Sequence, residues 1–132
     1  MFSRNSVTCV LWLILISSVG AVSMTAQQGV VGRRIKFNRG STSASVEGAV
    51  VRSTRDTYIV AARRGQTVTV RLSSLEDNAV FDIDAPGGKV RLNKTDDTTN
   101  WKGRLPASGD YRISIGATRG NATYTLAVAI ED

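Results

Sequence analysis

Histidine is absent from this chain, and its one cysteine, Cys9, lies at the amino-terminal end, ahead of the apolar core of the first segment. A zinc centre of imidazole and thiolate needs several such residues, and a Ser-His-Asp or Cys-His nucleophile needs at least the imidazole, so both classes of chemistry are excluded once that segment is lost. A disulfide scaffold is excluded for the same reason, and the fold must rest on a packed core. Proline is scarce, at two residues, and aromatic side chains make up only 6% of the 132 positions. Outside the first two dozen residues no apolar stretch is long, and none runs at helical period for more than a few positions.

The opening segment explains the one long apolar run. Arg4 precedes Val7 to Ile16, and Ser17-Ser18-Val19-Gly20-Ala21 follows with small side chains. Charge, apolar core and small residues in that order read as a secretory signal peptide, residues 1–21, with cleavage between 21 and 26. The apolar run is about half of the roughly 20 residues needed to cross a bilayer, so no stable membrane insertion is expected after processing. Cys9 precedes the apolar core and is badly placed for lipid attachment. The expected destination is the periplasm or the exterior.

What the chain has in quantity is arginine, 13 of its 17 basic residues, against 11 carboxylates, for a net charge of +6. Guanidinium groups recognise carboxylates and phosphates in a planar, bidentate manner. In an exported protein the expected partners are acidic proteins or anionic envelope polymers rather than nucleic acid.

Period-two alternation recurs along residues 33–131, which are expected to form one domain. It runs through Arg34 to Asn38, Ser43 to Val51, Asp56 to Ala62, Thr67 to Leu72, Val80 to Ile83, Val90 to Leu92, Trp101 to Leu105, Tyr111 to Ile115 and Tyr124 to Ile130. Gly, Pro, Asn and Asp turns separate the segments. The fold class is therefore all-β, a small antiparallel β-sandwich of about eight strands. Leu105 to Leu126 reads as a turn followed by a hairpin with Arg119-Gly-Asn121 at its tip.

Few residues invite chemistry. Asp82 and Asp84 lie two apart in one strand and share a face, as a glycosidase pair would, and Asp96-Asp97 could add oxygen ligands for calcium. A solvated strand face and a polar loop are the simpler readings, so neither catalysis, metal nor cofactor is expected. Trp101 could stack on a sugar, with Arg104 on the opposite strand face, although a lone Trp in a sandwich is more often core. Arg52, Arg55, Arg63, Arg64 and Arg119 fall at strand ends, which gather at two poles of a sandwich, where binding residues are usually carried. Asn93-Lys-Thr95 and Asn121-Ala-Thr123 fit the glycosylation pattern without further support.

Several phrases together resemble a known family. Ile35-Lys-Phe-Asn-Arg-Gly-Ser-Thr-Ser-Ala44, Asp56-Thr-Tyr58, Ala62-Arg-Arg-Gly-Gln-Thr-Val68 and Leu105-Pro-Ala-Ser-Gly-Asp-Tyr111 with Thr118-Arg119 resemble, in order and spacing, the periplasmic inhibitors of goose-type lysozyme. The resemblance extends more loosely to inhibitors of invertebrate-type lysozyme, and similar phrases occur in sandwich modules of secreted peptidases. It implies an exported sandwich whose loops enter an acidic lysozyme cleft, with Ser108, Gly109, Tyr111 and Arg119 as contact residues and Asn121 beside them. One departure stands out: Thr118-Arg119 is followed by Gly120-Asn-Ala rather than a longer basic loop, which leaves fewer donors and a shorter reach. The alternative, a module for anionic polysaccharide or a partner protein, would use a basic patch over one sheet with Trp101 exposed.

Overall fold

Alternation of inward and outward side chains organises every long strand of the computed structural model, which describes residues 32–132. The leader, its cleavage site and Cys9 lie outside the described residues. Eight strands occur, β1 (Arg33–Arg34), β2 (Ser43–Val50), β3 (Arg55–Ala62), β4 (Thr67–Ser74), β5 (Ala79–Asp84), β6 (Asn100–Arg104), β7 (Gly109–Ala117) and β8 (Ala122–Glu131). They make two four-stranded sheets, β1-β3-β7-β5 and β2-β8-β4-β6. All pairings are antiparallel except β1 with β3.

The core lies between the sheets. Tyr58, Val60, Phe81, Ile83, Tyr111, Ile113 and Ile115 face it from the first sheet, and Val68, Val70, Leu72, Tyr124, Leu126 and Val128 from the second. Burial of each large aliphatic side chain contributes about 1.5–3 kcal/mol before the entropy of ordering is counted. One polar chain crosses this core. The Tyr124 hydroxyl donates to Asp56 Oδ2 at 2.6 Å and, its proton so used, accepts from Tyr58 at 2.7 Å. Burial first, then the Asp56 hydrogen bond, raises the Tyr124 phenol far above its ordinary value.

Three expectations need correction. The Leu105–Leu126 segment is not a hairpin, because β7 and β8 lie in different sheets and the 118–121 connection arches across the core between them. Both edges of β7 are already taken by β3 and β5, and both edges of β8 by β2 and β4. The arch thus centres one strongly apolar strand in each sheet. Around Arg34 to Asn38 the ladder stops at Arg34, although Ile35 is buried and Phe37 still packs on the core. Val90 to Leu92 forms no strand: only Arg91 bridges to Asp84, and Val90 is exposed. The polar segment that follows covers the free edge of β5. Asn93, 4% exposed, accepts the Ile83 amide at 2.9 Å and donates to the Thr95 carbonyl, also at 2.9 Å, so side-chain groups stand in for a neighbouring strand.

Candidate functional site

The strand directions sort the connections into two ends. Residues 63–66 and 105–108 lie at one end, while 51–54, 75–78 and 118–121 lie at the other. Ser108 and Arg119 therefore occupy opposite ends of β7, separated by about 26 Å of extended chain. The site residues expected to act together divide into two groups.

At the first end the Ser-Gly-x-Tyr phrase shapes its loop, with Tyr111 buried and Ser108 exposed. Tyr111 is 2% exposed, and its hydroxyl donates to the Ala107 carbonyl at 2.6 Å and accepts from the Ala107 amide at 3.3 Å. That bond fixes the 105–108 loop from below, in the manner of a tyrosine corner. Ser108 Oγ accepts the Arg64 amide at 2.8 Å, joining this loop to 63–66. Gly109 takes φ 146°, and a Cβ there would meet Pro86 at 2.9 Å, so the position has no room for a side chain. Arg64 and Arg104 stand exposed nearby, whereas Arg63 pairs with Asp132 at 3.2 Å. Trp101 turns toward the core, level with Val70, and lies across Gly103, where a Cβ would come within 2.5 Å of the indole. It is partly buried against the core, on the strand face opposite Arg104.

The second end combines three loops. Asn78, 4% exposed, donates through Nδ2 to the carbonyls of Arg119 at 2.7 Å and Asn121 at 3.1 Å. The Thr118 amide donates to the Asn78 carbonyl at 2.8 Å, and Asn121 Oδ1 accepts the Arg52 amide at 3.0 Å. The Glu76 carboxylate accepts the Thr123 amide at 3.2 Å, and the Arg119 guanidinium donates to the Glu76 carbonyl at 3.2 Å. Hydrogen bonds from its own and the Thr123 backbone lower the Glu76 pKa. The result is a cross-tied tip that presents Arg119 and Arg52 to solvent.

Two residues there carry no charge and escape any search for charged motifs. Leu75 is 91% exposed and Val51 58%, and they are two of the three large hydrophobic side chains exposed among the described residues. Exposed apolar side chains can mark a protein-interaction surface, and arginine is enriched at the hot spots of such surfaces. A lone leucine inside Ser73-Ser-Leu-Glu-Asp-Asn78 was the available signal in the sequence. Leu75 also extends the surface that the short 118–121 connection leaves small.

Arg55 begins β3 at this end but turns onto the outer face of the first sheet, to Asp82 at 3.0 Å. Asp82 is also bound by Arg91 and by Asn93 Nδ2 at 3.2 Å. Burial raises its pKa, but the hydrogen bonds of Arg91 and Asn93, with attraction from both arginines, outweigh burial and hold the carboxyl below its usual range. Asp84 is raised by burial and by Asp82. Asp82 is thus held by structural cations, and no group of three or more metal-binding side chains gathers among the described residues.

Comparison with known proteins adds the relationship. No family model matches the chain. The curated "Inhibitor of g-type lysozyme" of Escherichia coli K12 is 29% identical over 114 residues, which span 83% of this chain and 82% of that protein. The crystal structure of Aeromonas hydrophila PliG, "a periplasmic lysozyme inhibitor of g-type lysozyme", superposes with a TM-score of 0.69 at 30% identity, covering 76% of this chain and 96% of that one. The chain belongs to the family of periplasmic g-type lysozyme inhibitors. A pre-peptidase C-terminal domain of Bacillus anthracis collagenase, with TM-score 0.54, 11% identity, and coverage of 76% and 94%, shares the fold alone.

Proposed function

We propose that this protein is a periplasmic inhibitor of g-type lysozyme that acts by noncovalent occlusion, with the 51–54, 75–78 and 118–121 end entering the enzyme's cleft. Family membership supports the activity and the partner. The observation that carries the choice of surface is the cross-tied tip, in which Arg119 and Arg52 are presented beside exposed Leu75 and Val51. At the opposite end, Tyr111 is buried and bonded to Ala107, and the Ser108 hydroxyl is engaged by the Arg64 amide.

The physics of encounter favours this arrangement. A glycoside-hydrolase cleft carries carboxyl groups, and a cationic protein is drawn to it before contact. Once seated, Arg119 would pair with a carboxylate while Leu75 fills an apolar subsite, and sugar is excluded by occupancy. The tip is already ordered by hydrogen bonds, so little conformational freedom is lost on binding. No bond is made or broken, and the protein acts as an inhibitor and not as an enzyme.

Competition tests this reading. A chito-oligosaccharide that fills the cleft of g-type lysozyme should raise the apparent Kd of the inhibitor in inverse proportion to the fraction of clefts left free. Affinity independent of the oligosaccharide would place the contact elsewhere on the enzyme and overturn cleft occlusion.

A further inference from the structure

The two outer faces of the sandwich are charged in opposite styles. On the β1-β3-β7-β5 sheet, Arg34 is paired with Asp110, Arg55 and Arg91 with Asp82, and Arg91 also with Asp96. On the β2-β8-β4-β6 sheet, Arg71, Lys102 and Arg104 point outward, and no ion pair among the described residues includes any of them. Lys102 and Arg104 are successive outward residues of β6, roughly 7 Å apart. Arg71 sits opposite Asn100, diagonal to Lys102, close enough for the two cations to repel. An anion laid across them would remove that repulsion.

Beside these cations runs a groove of about 550 Å³ whose lining includes Ser43, Ser45, Ala127, Ala129, Arg71 and Lys102, with Glu131 at one end. We propose that this groove is a second binding surface, separate from the lysozyme-binding end, and that it takes an extended anionic polysaccharide. Its floor is hydroxyl and methyl groups, with no large apolar side chain exposed on the face, so it lacks the anchors a folded protein partner would need. Its concave form admits a strand, whereas a flat anionic bilayer would reach the rim and leave the floor empty. Carboxylates on the polymer would meet Arg71, Lys102 and Arg104, and sugar hydroxyls would meet the serines. The inference stands whether or not the lysozyme reading holds.

Polygalacturonate, with neutral dextran as control, is the probe, measured by calorimetry with the full domain at low and at physiological salt. The natural protein should bind polygalacturonate and not dextran. R71S/K102S/R104S should weaken binding about tenfold, three screened contacts acting together, while R33S/K89S/K94S, which removes equal charge from the other side, changes it less than about twofold. A127W, which blocks the floor without altering charge, should also weaken binding about tenfold, by steric exclusion alone. Equal loss in both triple variants, no loss in A127W, or binding to phosphatidylglycerol vesicles without binding to polygalacturonate would overturn the proposal.

Discussion

Arg119 and Tyr111 bracket the range of roles a side chain takes here. The Arg119 side chain makes a single hydrogen bond, to the Glu76 carbonyl, and is otherwise exposed. R119A should therefore leave the melting temperature within error while weakening lysozyme binding at least tenfold, since truncating an arginine buried against a carboxylate costs about 2–5 kcal/mol. Tyr111→Phe should do the opposite. It loses both bonds to Ala107 and about 1 kcal/mol of stability, and inhibition by the folded protein should be unchanged, as thermal melts run beside an inhibition assay would show. The sequence made both residues conspicuous but separated their roles only in part. Period two already put Tyr111 on the inward face with Ile113 and Ile115, and a side chain in the core cannot also reach a partner. Leu75 gave only the signal of a lone leucine in a polar turn, which does not show that the side chain stays exposed.

Among the elements, the connections decide the function more than the strands do. The positions of the longer strands followed from alternation, because the pleat places successive side chains on opposite faces, whereas Arg34 to Asn38 and Val90 to Leu92 alternate without forming the expected strands. Strand partners did not follow from it, because pairing depends on which edges are already filled. The four-residue 118–121 connection fits a hairpin or an arch equally, and only the occupied edges of β7 and β8 exclude the hairpin. The length of β7 separates Ser108 from Arg119 in either case, and the arch ties Arg119 to the 75–78 loop. Asn78 holds this tip together, so Asn78→Ala should cost about 1–2 kcal/mol of stability. It should also weaken inhibition several-fold at temperatures where the protein is fully folded, an effect of about 1 kcal/mol from the freedom returned to the loops. Native affinity in folded Asn78→Ala would show that the tie serves stability only.

Over the whole molecule, charge is distributed by use. Arginines on the outer face of the first sheet neutralise carboxylates, and Asp82 is the centre of that set. Its folded pKa lies below the ordinary value of 3.8, so its contribution is present above that value and is lost as pH falls through the lower, folded one. Asp84, raised by burial and by Asp82, contributes in the opposite sense and softens the slope. Asp82→Asn should therefore lower the melting temperature at neutral pH, and its difference from the natural protein should shrink in acid, below the folded pKa. A constant difference down to strong acid would remove the ionised Asp82 from the account. The net charge was plain in the sequence, but which arginines were already paired required the fold, because Arg55 and Asp82 are 27 residues apart.

The 51–54, 75–78 and 118–121 end of the sandwich is proposed to block a g-type lysozyme. The most direct measurement is residual cell-wall hydrolysis by that enzyme, titrated with the purified natural protein and with R119A under the same salt conditions. Saturable loss of activity is expected with the natural protein, and a curve displaced at least tenfold, at unchanged stability, with R119A. Full enzyme activity at every concentration of the natural protein, or superimposable curves for the two, would contradict it.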